Sequence, residues 1–162
     1  MVADEPLTGI KAITLEDIRW RRCDIKSVSL LGSVILKQEA EIQGASEALL
    51  HRGGWLTEGS TSNLFIVQNG QIVTPPRDAL ILNGITRGLV FELAQSRGQP
   101  IREERFTLET LYQADEIWIT NSTCEICPVT ELDGKTIGNG EIGPVSHILN
   151  EAFQNFKAEL KS

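Results

Sequence analysis

The chain has 162 residues, 41% apolar and 23% charged, the balance of a soluble globular protein with room for one real core. Its formal charge of −7 speaks against nucleic acid or an anionic membrane surface as the main partner. No stretch approaches the ~20 apolar residues of a membrane span, and the N-terminus MVADEPLTGI lacks the layout of a signal peptide. Three cysteines, an odd number, do not make a secreted disulfide framework, so a cytoplasmic location is expected.

Residues 1–12 are polar and rich in turn formers and read as an arriving linker, which leaves 13–162 as the domain. A strand is expected over 11–20. Apolar residues at 28, 31, 34, 35 and 42 then predict an amphipathic helix over 28–43, ending at Gly44. Residues 45–52 are a second strand candidate, broken at Gly53–Gly54. Within 61–76, two β-rich runs flank Asn69–Gly70, a strong hairpin signal, and Pro75–Pro76 stops the second run. A helix is predicted over 86–97 with Gly98 closing it, and strands over 99–106 and 115–120 bracket a short helix near 107–113. A second hairpin turns at Asp133–Gly134, and an amphipathic helix over 144–160 closes the chain with Val145, Ile148, Leu149, Ala152, Phe153 and Phe156. Mixed strands and helices imply an α/β or mixed α+β domain, and the hairpins speak against purely parallel winding.

Four polar stretches lie at expected element ends or turns: CDIKS, TEGSTSN, NGITRG and TNSTCE. Lys26 falls between a strand and a helix; a surface lysine is the plain reading, but a cation at a helix start opposes the dipole. Arg19, Arg21 and Arg22 lie close in sequence, and neighbouring cations are one way to activate an amine. Glu58 is either a solvated turn carboxylate or an acceptor aimed at a nitrogen base, with the GSTSN run supplying hydroxyl and amide donors. Thr86 is either a simple helix cap or part of an anion site made by freed backbone N–H groups. The hydroxyls of residues 120–123 are either a second phosphate wall or a polar loop.

Cys124 and Cys127 form a C-x-x-C without the second pair that a zinc site needs, and two buried or half-buried free thiols are the expected reading. His51 and His147 have no partner at ligand spacing, so no metal site is expected, and no Gly-rich phosphate loop is present.

The order of the four stretches, a lysine, then TEGSTSN, then NGITRG, then a hydroxyl loop before EICPV, resembles the fold-type IV pyridoxal-phosphate enzymes from about residue 10 to the C-terminus. That family holds D-amino-acid aminotransferases, branched-chain aminotransferases and aminodeoxychorismate lyases. The resemblance implies a barrel-like sheet with hairpins and flanking helices, and pyridoxal 5′-phosphate as cofactor. It implies that Lys26 forms the Schiff base and shuttles the proton, and that Glu58 pairs with the pyridine nitrogen. Leu82 would pack on the ring, while the backbone of Ile85 and Thr86 and the hydroxyls of Thr86 and Ser122 would hold the phosphate. Arg19 and Thr61 match positions that line the cofactor pocket.

Within the family, CDIKSVSLLGSVILKQEA and LHRGGWLTEGSTSN are most similar to D-alanine aminotransferases. Leu31 stands where branched-chain enzymes usually have tyrosine, and Leu30 where the lyases often have a basic residue. The implied reaction is D-alanine plus 2-oxoglutarate giving pyruvate plus D-glutamate in two half-reactions. The lyase reaction, branched-chain transamination and a non-catalytic binding module that keeps the fold are the alternatives. Members of the family are about twice this long, so the resemblance implies the cofactor-binding domain without its N-terminal partner domain, with little or no activity alone, and a homodimer when full length. It implies a small amino acid and a 2-oxo acid as partners, with no nucleic acid or membrane.

Overall fold

The protein is described here over residues 6–160 by a computed structural model. Its strands are β1 (Ile10–Glu16), β2 (Glu47–Arg52), β3 (Trp55–Gly59), β4 (Asn63–Gln68), β5 (Gln71–Thr74), β6 (Ile101–Glu103), β7 (Glu116–Asn121), β8 (Glu125–Leu132) and β9 (Lys135–Thr136). Its helices are α1 (Leu31–Ile42), α2 (Ile85–Ser96), α3 (Leu108–Tyr112) and α4 (Pro144–Glu159). All nine strands join one mixed, strongly curled sheet in the order β3-β2-β1-β8-β7-β4-β5-β6, with β9 paired to β8. This is the expected mixed α/β architecture with a barrel-like sheet. No helix among the described residues is long and apolar enough to cross a membrane.

Strand residues alternate between two cores, as the period of 2 requires. In β4, Leu64 and Ile66 enter one core, while Phe65 and Val67 enter the other, shared with α2 and α4. In β7, Ile117 and Ile119 likewise oppose Trp118, which stacks on Phe65 with ring centroids 5.6 Å apart. A third core, with Ile13, Leu36, Ala40 and Leu50, seats α1 on β1 and β2. Both sheet faces are covered, which is why β4 carries the continuous apolar run Leu64–Val67.

The two hairpins turn where expected. Asn69 and Gly70 have φ of 51° and 73°, and Asp133 and Gly134 have 49° and 74°, the left-handed pairs of a type I′ turn. The strand expected over 11–20 ends at Glu16, because the Asp17 carboxylate turns back to accept the Arg19 N–H at 3.0 Å and its side chain besides. The first helix begins at Leu31 rather than 28, with Val28 97% exposed. Lys26 is therefore on the loop before the helix, and the dipole argument does not apply to it. The strand expected over 99–106 shrinks to three residues, Ile101–Glu103.

Candidate active site

Glu58 is the centre of the site. It lies near the end of β3, not in a turn, and is 4% exposed. Its Oε1 accepts from Arg19 Nη1 at 2.6 Å, and its Oε2 accepts from Asn63 Nδ2 and from the Leu82 N–H, both at 3.0 Å. These donors fill three of the roughly four acceptor positions of a carboxylate and leave one open. Burial pushes the Glu58 carboxyl up to about 7, against the opposing pull of Arg19 and the Leu82 amide.

Arg19 is held as firmly as Glu58. Its Nε and Nη2 donate to the two oxygens of the buried Asp17, both at 2.9 Å, in a bidentate fork. Asp17 also accepts from Arg52 Nε and the Thr57 hydroxyl, each at 3.2 Å; against the upward push of burial, Arg19 first and Arg52 after it keep the Asp17 carboxyl below the usual carboxylate range. Two of the three arginines are therefore matched by carboxylates and are not free cations beside Lys26: Arg19 is held by Asp17 and Glu58, and exposed Arg22 pairs with Asp24 at 2.9 Å.

Lys26 is exposed. Its loop is fastened beside Glu58 by Arg19 and by a backbone bond from the Cys23 N–H to the Ala79 carbonyl at 2.8 Å. Leu82 follows closely, its carbonyl accepting from Asn63 Nδ2 at 2.8 Å. Two residues on, Gly84 caps α2 without any side-chain cap, so the first amides of the helix have no side chain to satisfy them. Ile85 is 92% exposed and Thr86 half-buried at this N-terminus.

Ser122 is exposed in the turn after β7. Thr120, two residues earlier, pairs across strands with Asn63, and a Cβ added at Gly84 would overlap Asn63 Oδ1. The end of β7 is thereby joined to the start of α2. Thr61 is exposed and its hydroxyl donates to Glu47 Oε2 at 3.0 Å. The buried Glu47 also takes the Ser60 and Ser62 hydroxyls. The GSTSN run thus spends its donors inward, on Glu47 and Glu58.

Sequence reasoning missed Asp17, Glu47 and Arg52, and had Asn63 only as the amide donor of the GSTSN run, without its bond to Glu58. The spacing D-x-R in DIRW was a usable signal for the Asp17 fork; the other contacts join distant segments. Cys124 and Cys127 are half-buried free thiols, as expected, and the Cys127 thiol beside Cys124 lowers the latter's pKa.

The residues fit pyridoxal phosphate by the chemistry of their donors: a primary amine, a buried carboxylate with one acceptor position open, and an uncapped helix N-terminus for an anion. Fold and site together give a curled-sheet domain that carries chemistry suited to each end of such a ligand. The chain belongs to the class IV aminotransferase family, whose model matches residues 3–132 and whose cofactor is pyridoxal phosphate. It is 44% identical over 153 residues to a D-alanine aminotransferase of Staphylococcus haemolyticus, covering 94% of this chain and 54% of that protein. A D-alanine aminotransferase of Listeria monocytogenes is 47% identical over 145 residues, covering 90% and 50%. The branched-chain aminotransferase of Thermoproteus uzoniensis, solved with norvaline, superposes with a TM-score of 0.81 at 33% identity, covering 91% and 51%. The chain spans about half the length of the curated relatives it matches.

Proposed function

We propose that this chain is the pyridoxal-phosphate-holding domain of a D-amino-acid transaminase, acting on a D-amino acid such as D-alanine and a 2-oxo acid in the cytoplasm. The observation that carries the reading is Glu58: a buried carboxylate with one acceptor position open, bonded directly to the backbone of the segment that leads into the uncapped α2. The cofactor, when bound, supplies the electron sink that stabilises a carbanion at the substrate Cα.

In this reading Lys26 binds the cofactor aldehyde and moves the proton at the substrate Cα. Glu58 accepts the N–H of the ring and holds it protonated. Arg19, fixed by Asp17, keeps the Glu58 carboxylate turned to the ring. Leu82 packs against the ring face, and the amides of Ile85 and Thr86 with the hydroxyls of Thr86 and Ser122 bind the phosphate; Thr61 lines the same pocket.

The D-alanine reading rests on the 44% and 47% identities and on Leu30 and Leu31. Branched-chain transamination is the second reading, favoured by the TM-score of 0.81 to the Thermoproteus uzoniensis enzyme. Domain organisation is part of the proposal: Ile10–Ala12, expected in the linker, belong to β1 with Ala12 buried in the core, so the cofactor-holding domain runs from Ile10 rather than from residue 13, and the rest of the pocket wall and the homodimer contacts come from a portion like the unmatched half of the relatives. Alone, the chain should capture the cofactor but turn over poorly.

The test is absorbance after adding pyridoxal phosphate, followed by borohydride reduction and peptide mapping. The expected result is a visible imine band, label on Lys26, and neither in Lys26→Ala. A band that survives Lys26→Ala would overturn the assignment. Joining the chain to a relative's unmatched half should then give turnover of D-alanine ahead of leucine; the reverse order selects the branched-chain reading.

A further inference from the structure

Arg87 is a buried cation that the proposed chemistry does not use. It stands in the first turn of α2 and is only 2% exposed. A positive charge there opposes the helix dipole, and burying a guanidinium is costly. Burial holds its pKa below the ordinary arginine value in spite of Glu103. Something has to justify that cost, and the contacts show what Arg87 grips. Its Nη2 donates to the Pro75 carbonyl at 2.9 Å and to Glu103 Oε1 at 3.1 Å. Pro75 directly follows β5, and Glu103 ends β6 and is held in turn by Arg77 Nε at 2.8 Å. The grip therefore ties the start of α2 to the ends of two sheet strands.

On its other side, the same backbone is tied to Glu58 and Asn63 through Leu82. Gly84 lies between the two ties: a Cβ there would overlap Asn63 Oδ1 and stand 3.7 Å from Arg87 Cβ. Leu82–Thr86 is thus clamped from both flanks. Between the clamps lie the backbone donors proposed for the phosphate; beside one of them lies the acceptor proposed for the ring nitrogen. A ligand that must satisfy both at once depends on the spacing between them.

We propose that Arg87 is a positioning residue that fixes the uncapped N-terminus of α2 relative to Glu58, so that one ligand's phosphate and ring nitrogen are met together. This rests on the cofactor reading above. It makes a demand that a merely structural arginine does not: loss of Arg87 should weaken the phosphate arm and spare the amine and ring arms.

The test compares pyridoxal phosphate with pyridoxal, which lacks the phosphate, by titrating the imine band of the whole chain. The unaltered chain should prefer the phosphorylated ligand. Arg87→Met should cut that preference by about tenfold or more, as misplacement of binding groups does, with the affinity for pyridoxal nearly unchanged. Arg87→Lys, which keeps the charge but not the planar fork, should fall between. If Arg87→Met does not fold, Glu103→Gln removes the charged acceptor and should lower the same ratio. A ratio unchanged in the folded variants, or equal losses for both ligands, overturns the inference alone. No preference in the unaltered chain overturns the phosphate site and this inference with it.

Discussion

At the scale of single residues, the site turns on where three charges are placed. Glu58 is buried, and its carboxyl is raised from its ordinary 4.5 to about 7. Between those values the folded chain binds more protons than the unfolded one, so stability linked to Glu58 is fully present below 4.5 and is lost as pH rises towards 7. Glu58→Gln, which cannot ionise, lacks this dependence. The stability advantage of the unaltered chain over Glu58→Gln should therefore shrink across that window, by at most about 1.4 kcal/mol per pH unit. Urea titrations of both proteins at several pH values measure it. A constant gap would show that Arg19 wins and that Glu58 is ionised throughout. Asp17 has the opposite sign: its carboxyl is depressed, so its contribution is present above its ordinary 3.8 and is lost as acid protonates it. The two groups thus act in separate pH ranges, and the window assigned to Glu58 is not obscured by its neighbour.

At the scale of elements, helix ends carry much of the specification. The α4 N-terminus is received by the buried Glu116, which accepts from the Val145 and Ser146 N–H groups at 2.9 Å and from the Ser146 hydroxyl at 2.6 Å. A Cβ at Gly143 would overlap that carboxylate, so the approach needs glycine. Glu116→Ala leaves these donors without their acceptor and should cost about 3 kcal/mol, at the upper end for a buried unsatisfied group. The urea midpoint reads the loss, and a change below about 0.5 kcal/mol, that of an ordinary surface substitution, would refute the account. Because α4 makes none of the contacts at Glu58 or the α2 start, pyridoxal-phosphate capture in the absence of denaturant should persist. What the sequence made legible follows from range. The hairpins at Asn69–Gly70 and Asp133–Gly134 and the helix that ends before Gly98 are encoded by neighbours. β3 was hidden because Leu56, Thr57, Glu58 and Gly59 are all buried, which removes the alternation that marks a half-exposed strand. The clamps at Glu58 and Arg87 were hidden because their partners lie 39, 24 and 16 residues away. Lys26 and Glu58 were found through family order, whereas Asp17, which holds Arg19 against Glu58, and Asn63, which bonds Glu58 directly, have no such label.

At the scale of the molecule, the loop that carries Lys26 lies in an apolar surface. Ile18, Trp20, Ile25, Val28, Leu30 and Leu31 are between 44% and 97% exposed, and the leucines that distinguish the family branches are among them rather than in the core. Leu31, Val34, Ile35 and Ile42 continue the surface as one stripe of α1, opposite the buried Leu36 and Ala40. Each residue alone would be ordinary, but an exposed apolar stripe along one helix, with further exposed apolar residues on the loop before it, is the pattern of an interaction face. The chain should therefore associate as its concentration rises, and sedimentation equilibrium measures this. Leu31→Glu combined with Val34→Glu should shift it towards monomer. The same pair should change the urea midpoint little, within about 0.5 kcal/mol, because these side chains bury little on folding. A chain that stays monomeric at high concentration would sink the prediction, as would a double variant that associates equally well. The face also bears on chemistry. Covering it would exclude water from the loop of Lys26, which the domain alone leaves open to solvent, and excluded water strengthens every polar contact at a reacting centre. Occupancy of this face and turnover should accordingly rise together when the chain is joined to a relative's unmatched half, while the preference for phosphorylated over unphosphorylated ligand, set by α2 and its clamps, should already be present in the chain by itself.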